Sequence, residues 1–395
     1  MKIIMISPFP PYPPDSGGRI RQWEMIKCLS RKHDLTLAFF INKGDEKILD
    51  GAFEGICSRV AMITHAGDTT PAGPQALPWP TRAYGVEPMR NLLTELSADK
   101  YDLLITEFIY TAQHRAIFNI PAVLHEHNIE SSIFRQYAEL PDVDKTEIFG
   151  IKRDAHFWKA TWMMMRQYEN RTWPSFDLRI TVSKLDQAEM DSRCPDGKTI
   201  VAENGVDTDE FKLLPVNRSK KILFVGTMDY FPNIDGALFL TQSIMPHVWR
   251  IDPDIRLCIV GRNMPKHIRD LGNDQRVEVI MNAPDIRKVA AECCASVVPL
   301  RLGGGTRIKI LEAFGLGLPV VSTAKGCEGL AGVDGRHLMI RDNPEEFAAA
   351  VATVVNNHKL SDTLRQNGRV LVEERYDWQR IFEAAEEKMM KLVIK

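Results

Sequence analysis

Seven cysteines in 395 residues leave no basis for a disulfide framework or a zinc site. No two are separated by two residues, and the adjacent Cys293 and Cys294 cannot bridge comfortably. Reduced thiols, as in the cytoplasm, are the expectation. No apolar run approaches the roughly 20 residues needed to cross a bilayer, and the opening Met1 to Ile6 meets Pro8 too soon for a secretory signal. Neither charge is in excess: 50 Lys and Arg stand against 52 Asp and Glu, dispersed along the chain, for a formal net charge of −2. That balance argues against a nucleic-acid partner. These absences point to a cytoplasmic protein and leave open peripheral contact with the inner face of the cell membrane.

Against this plain background one segment carries a strong signal. The run Leu302-Gly303-Gly304-Gly305-Thr306-Arg307-Ile308-Lys309, continuing to Val321, follows the apolar stretch Ala295 to Leu300, which reads as a buried strand. Three glycines permit a backbone turn too tight for side chains, and Thr306 is expected to N-cap the next helix. A strand, a glycine turn and a helix start bring unpaired N–H groups and a positive dipole end to one spot. Arg307 and Lys309 fall in the first helical turn, where the dipole disfavours cations by a few tenths to about 1 kcal/mol. That misfit is relieved if a polyanion binds there, and nucleotide phosphates are the natural candidate.

The length implies two domains. Short apolar runs alternate with amphipathic stretches, the pattern of a parallel α/β protein. Strands are expected at Ile3 to Ser7, Leu35 to Ile41, Val60 to Thr64, Leu103 to Thr106, Ala122 to His125 and Arg179 to Val182. The loop Pro8 to Gly18 precedes a helix from Arg19 to Ser30, and Thr69 to Pro80 reads as an irregular proline-rich loop. From Ile129 to Trp173 one or two helices are expected, broken near Pro141. A seam between Glu203 and Ser219 separates this half from a second run of strands at Ile222 to Val225, Leu257 to Val260, Val277 to Ile280 and Ser296 to Leu300. Pro246 should kink or end the intervening helix, from Asp235, before Trp249. Helices close the chain at Pro344 to Asn357, Ser361 to Glu374 and Trp378 to Leu392.

Five pieces, in this order, resemble the family-4 type of retaining glycosyltransferase. They are Pro13-Pro14-Asp15-Ser16-Gly17-Gly18-Arg19, His125-Glu126-His127-Asn128, Glu203-Asn204-Gly205-Val206-Asp207, Phe224 to Asn233, and Gly303 to Val321. The first piece looks most like transferases of exopolysaccharide assembly. The resemblance implies the GT-B fold, two Rossmann-like α/β domains facing each other across a cleft. Residues 1–205 would form the acceptor-side domain, with the helix at about 376–395 packing back on it, and residues 206–375 the nucleotide-sugar domain. The implied partners are a nucleotide-diphosphate sugar as donor and a glycan or lipid-linked acceptor, with no cofactor and no metal.

By the same resemblance Glu312 hydrogen-bonds the ribose hydroxyls, and Gly17 and Gly18 lie in a loop over the donor phosphate. His127 aligns the sugar or the acceptor, and the base lies near Met281 to Pro284. Gly226, Arg262 and Thr306 are further candidates for donor contacts and the backbone N–H groups of Gly304 and Gly305 are candidates for sugar hydroxyls or phosphate, while Asn204 to Asp207 mark a structural turn. Two departures stand out. Gly304 occupies the place, eight residues before Glu312, of a second glutamate, and Thr227 replaces an arginine whose partner lysine is also missing. Arg307 and Lys309 are expected to supply that phosphate clamp, and with His127 to carry catalysis. His125 reads as structural, and Glu107 as a further candidate at a strand end. Two alternatives remain: an epimerase or hydrolase acting on the nucleotide sugar itself, and a degenerate scaffold that only binds it.

Overall fold

The computed structural model describes residues 1–65, 77–141, 147–148 and 150–394. The chain divides into two compact units: Met1–Thr146, Arg153–Glu203 and Trp378–Lys395 form the first, Glu147–Lys152 and Asn204–Asp377 the second.

In the first unit, β1 (Lys2–Ser7), β2 (Asp34–Ile41), β3 (Arg59–Thr64), β4 (Leu103–Glu107) and β5 (Ala122–His125) are followed, after the two-residue antiparallel strands β6 (Glu147–Ile148) and β7 (Ile151–Lys152) of the second unit, by β8 (Leu178–Thr181) and β9 (Thr199–Val201). Its parallel sheet has the order β3-β2-β1-β4-β5-β8-β9. Helices cover both faces of such a sheet, so its strands read as apolar runs rather than alternating ones; Ile3, Ile4, Met5 and Ile6 are all fully buried. The closing helix Trp378–Val393 is pinned within this unit by Glu386, which pairs with Lys32 and His33, each at 2.9 Å.

The second unit repeats the plan. Its strands β10 (Lys221–Val225), β11 (Arg256–Gly261), β12 (Val277–Met281), β13 (Ala295–Val298), β14 (Val320–Ser322) and β15 (Met339–Ile340) order as β12-β11-β10-β13-β14-β15. In both sheets the chain winds outward one way, returns, and winds the other way. The reversal falls between β1 and β4 in one unit and between β10 and β13 in the other, and ligands of such sheets bind beyond the strand C-termini at that point.

Several expectations needed correction. Gly17 and Gly18 are not loop residues; they open the helix Gly17–Ser30. Two helices, Glu130–Ala138 and Ala155–Thr172, do occupy the long segment before Trp173, but β6 and β7 lie between them. Their two-residue length carries no periodicity to read. In the second of these helices Trp158 and Met165 are fully buried whereas Met163 is half exposed. Pro246 does not end its helix before Trp249: a π-turn, Leu240–Ile244, precedes it and the helix runs from Met245 to Ile251. The wider turn accommodates the missing proline amide. Residues 69–76 of the proline-rich segment lie outside the described residues, and Trp79–Arg82 forms a helical turn. The short strands β9 and β15 carried no signal long enough to detect.

Candidate active site

At the reversal in the second unit, β10 ends at Val225 and β13 leads into the glycine turn. Gly303 and Gly305 adopt φ of 113° and 63°, a region where side chains are strained. Thr306 is not the N-cap. Arg307 holds that place, with extended backbone, ahead of the helix Ile308–Leu316. The Thr306 side chain is buried and engaged elsewhere, because Asn204 Nδ2 donates to its Oγ1 at 2.9 Å and to its carbonyl at 3.0 Å.

Arg307 is only 8% exposed. Its Nη1 donates to the carbonyls of Gly304 and Gly305, the latter at 2.8 Å, and so shapes the turn. Its Nε and Nη2 are buried with no hydrogen-bond partner among the described residues. A Cβ on Gly303 would lie 3.0 Å from that Nη2 and 3.1 Å from the Tyr230 hydroxyl; glycine there keeps the space before the guanidinium open.

Lys309 reaches back to the end of β10. Its Nζ donates to the Val225 carbonyl at 2.6 Å and to Asn233 Oδ1 at 2.8 Å. Burial, reinforced by the neighbouring Arg307 charge, lowers its ammonium to about 7. Glu312, on the same helix, has no hydrogen bond or ion pair among the described residues. Burial raises its carboxyl to about 7, opposed by Lys309 and assisted by Glu210. Gly226 is required by packing: a Cβ there would come 2.7 Å from Asn233 Cγ, and one on Gly261 would come 2.1 Å from the Gly226 carbonyl oxygen. Arg262 is exposed on the turn after β11, where its carbonyl accepts from Met228 N at 2.8 Å. Met281, at the end of β12, is half exposed.

The first unit gathers different chemistry at its own reversal. Glu107 ends β4 and is opposite His125 in the parallel register. Both histidine rings bond to the fully buried Glu107 carboxylate, His125 through Nδ1 at 2.9 Å and His127 through Nε2 at 2.7 Å. Arg21, one turn into the first helix, places Nε 2.7 Å from His125 Nε2 and donates to the carbonyls of Ala202 and Glu203. His127 stacks on Phe108, with ring centroids 3.9 Å apart. Gly18 adjoins these rings, since a Cβ there would lie 3.1 Å from Phe108 and 3.8 Å from His127 Nδ1. Glu126 turns away and accepts from Trp173 Nε1 and Ile109 N, each at 3.0 Å.

Comparison with known proteins agrees with this double architecture. Residues 17–210 match the Glycosyltransferase Family 4 model and residues 219–357 the model of Glycosyl transferases group 1. The chain belongs to the GT-B glycosyltransferases. A solved sucrose-phosphate synthase from Thermosynechococcus elongatus superposes with a TM-score of 0.75 at 17% identity, covering 99% of each chain. Anabaena HepE, solved in complex with UDP, gives 0.70 at 17% identity and covers 99% of this chain and 100% of its own. An uncharacterized 44.6 kDa protein from the cps region of Klebsiella pneumoniae is 24% identical over 399 residues, 96% of this chain and 98% of that protein.

In this glycosyltransferase the residues singled out from sequence fall into two sets. Gly226, Arg262, Gly304, Gly305, Thr306, Arg307, Lys309 and Glu312 lie in the second unit; Gly17, Gly18 and His127 lie in the first. Sequence reasoning assigned no role to Arg21 or Asn233 and gave Glu107 no partner. A carboxylate closing the apolar run Leu103 to Thr106 was the one available signal. Arg21 sits among other polar residues of an amphipathic helix, so nothing local marks it as buried.

Proposed function

We propose that this enzyme moves a sugar from a nucleotide-diphosphate sugar to a carbohydrate or lipid-linked acceptor with retention at the anomeric carbon, in assembly of a cell-surface polysaccharide. The observation that carries the reading is Arg307, a buried guanidinium whose Nε and Nη2 have no hydrogen-bond partner among the described residues, beside Lys309 at a strand C-terminus. Buried donors left unpaired in a protein call for a ligand, and a guanidinium matches phosphate geometry. HepE, with the same fold, has been solved with UDP and with UDP-glucose, and the Klebsiella relative comes from a cps region; both support the substrate class.

The chemistry would be positional and electrostatic. As the bond from the anomeric carbon to the β-phosphate oxygen breaks, negative charge grows on that oxygen, and Arg307, Lys309 and the helix start stabilise it. The acceptor hydroxyl bonds to the anomeric carbon from the face the phosphate leaves, and its proton passes to the departing phosphate. Glu312 would hold the ribose hydroxyls, two donors suited to one carboxylate.

A thermal-shift screen of nucleoside diphosphates and their sugars tests the donor. One base should stabilise selectively, by about 2.7 kcal/mol at a hundredfold excess over Kd; no shift with any of them would overturn the reading. Transfer to acceptor, rather than donor loss without acceptor, separates it from epimerisation or hydrolysis.

The pH profile offers a second check. Lys309 must be protonated to hold phosphate, so donor kcat/KM should fall as pH rises above about 7. Glu312 must be ionised to accept from ribose, so kcat/KM should also fall below about 7. The result is a bell with limbs approaching tenfold per pH unit, belonging to the coupled pair rather than to either group alone. Lys309→Met should remove the alkaline limb and Glu312→Gln the acid limb. A flat wild-type profile would contradict the assignment.

A further inference from the structure

The Arg21–His125–Glu107–His127 chain in the first unit has an order of donors and acceptors that follows from one fact: an arginine side chain only donates. Because Arg21 Nε stands 2.7 Å from His125 Nε2, that nitrogen must be the acceptor. His125 is therefore neutral with its proton on Nδ1, and that proton goes to Glu107 Oε1 at 2.9 Å. Arg21 and His127 oppose the rise that burial imposes on the Glu107 carboxyl, and in its ionised state the second oxygen accepts from His127 Nε2 at 2.7 Å. The ring plane of His127 is set by stacking at 19° on Phe108, whose backbone stands at φ 61° directly after β4. His127 Nδ1 has no hydrogen bond among the described residues and lies on the side of Gly18, where a Cβ would come within 3.8 Å of it.

The geometry points to Glu107 as the positioning residue that holds the His127 proton on Nε2, so that the bare Nδ1 presents a lone pair to a sugar hydroxyl. This inference rests on the transfer reading above and names the group that orients the substrate within it. Burial, opposed by Glu107 and aided by Arg21, lowers the His127 imidazole to about 3, so the ring stays neutral and Nδ1 stays an acceptor at any working pH. The facing atoms of Glu107, His125 and His127 all lie within 4.8 Å of one another, a spacing a metal ion could use. The fixed Arg21 charge against His125 opposes a second cation there, and both protons facing Glu107 would have to leave. An ordered hydrogen-bond relay fits the donor set better.

Glu107→Gln makes a sharp test because it keeps volume and changes the proton order. The glutamine oxygen must accept from His125, whose proton Arg21 holds on Nδ1. Its amide then donates to His127 Nε2, and the His127 proton moves to Nδ1. Nitrogen NMR of selectively labelled histidine should show His127 as the Nε2–H tautomer in the unaltered protein and as Nδ1–H in Glu107→Gln. Donor kcat/KM should drop about 10- to 100-fold, the scale of losing a residue that orients a functional histidine. In a double-mutant cycle that drop should vanish in a His127→Asn background, where the amide can still turn an oxygen toward the sugar.

A wild-type Nδ1–H tautomer, an unchanged tautomer in Glu107→Gln, or an equal drop with and without His127 would each overturn the proposal. The wild-type spectrum needs neither a variant nor a substrate, so it stands even if Glu107→Gln does not fold. Failure of the transfer reading would appear instead as no turnover in the unaltered protein.

Discussion

Arg307→Ala is expected to lower donor kcat/KM by about 10²- to 10³-fold, the effect of removing one preorganised donor from a developing oxyanion. The side chain has two tasks. Nη1 ties down the carbonyls of Gly304 and Gly305, and Nε and Nη2 face a space that Gly303 keeps clear. Alanine removes both the charge and the tie. Lysine would restore a charge but not a planar fork able to serve the turn and the ligand together, so Arg307→Lys should recover only part of the loss. Stability should respond differently. Two buried donors without partners already cost the folded protein about 1–3 kcal/mol each, so alanine should leave the melting temperature near its original value. Steady-state kinetics beside thermal denaturation separate the two. Unchanged donor kinetics would remove Arg307 from the site, and a collapse in stability would make its role chiefly structural.

Arg21→Met is expected to have the largest effect on stability, a loss of about 3–5 kcal/mol. Arg21 is fully buried, donates to His125 and to the carbonyls of Ala202 and Glu203, and lies over the Phe382 ring of the closing helix at 5.3 Å. Methionine replaces the volume but leaves the Glu107 carboxylate without its counter-charge. Burial already raises the Glu107 carboxyl, with Arg21 and His127 opposing; removing Arg21 raises it further. A carboxyl whose folded value lies above its unfolded one binds protons more tightly when folded. Stability is then retained below the unfolded value, near pH 4, and lost as pH rises through the folded one. Denaturation should therefore show a smaller deficit for Arg21→Met at pH 5 than at pH 8. An equal deficit at both would mean that packing, not the charge on Glu107, is what Arg21 supplies.

The fold was largely legible because its signals are local. Buried parallel strands announce themselves as apolar runs, and β5 was placed to the residue. The glycine turn and the helix after it were legible for the same reason. Misplaced features were those without a local signature: the two-residue strands β6 and β7, and a π-turn that absorbs Pro246. At the helix start after the glycines the local rule favoured Thr306, yet Asn204, distant in sequence, claims that side chain, and the cap moved to Arg307.

Residue order alone carried the α/β chain with two sheets, the glycine-rich helix start with Arg307, Lys309 and Glu312, and a His-x-His element at a strand end. Turn chemistry and hydrophobic period act over a few residues, so the sequence carries them openly. Which groups meet was decided only by the tertiary structure. Lys309 finds Val225 across 84 positions and Arg21 finds His125 across 104, because sheet order and parallel register place strand ends side by side whatever their distance along the chain. The same register set Glu107 against His125, and burial there gathered four ordinary polar residues, Arg21, His125, Glu107 and His127, into one hydrogen-bonded chain.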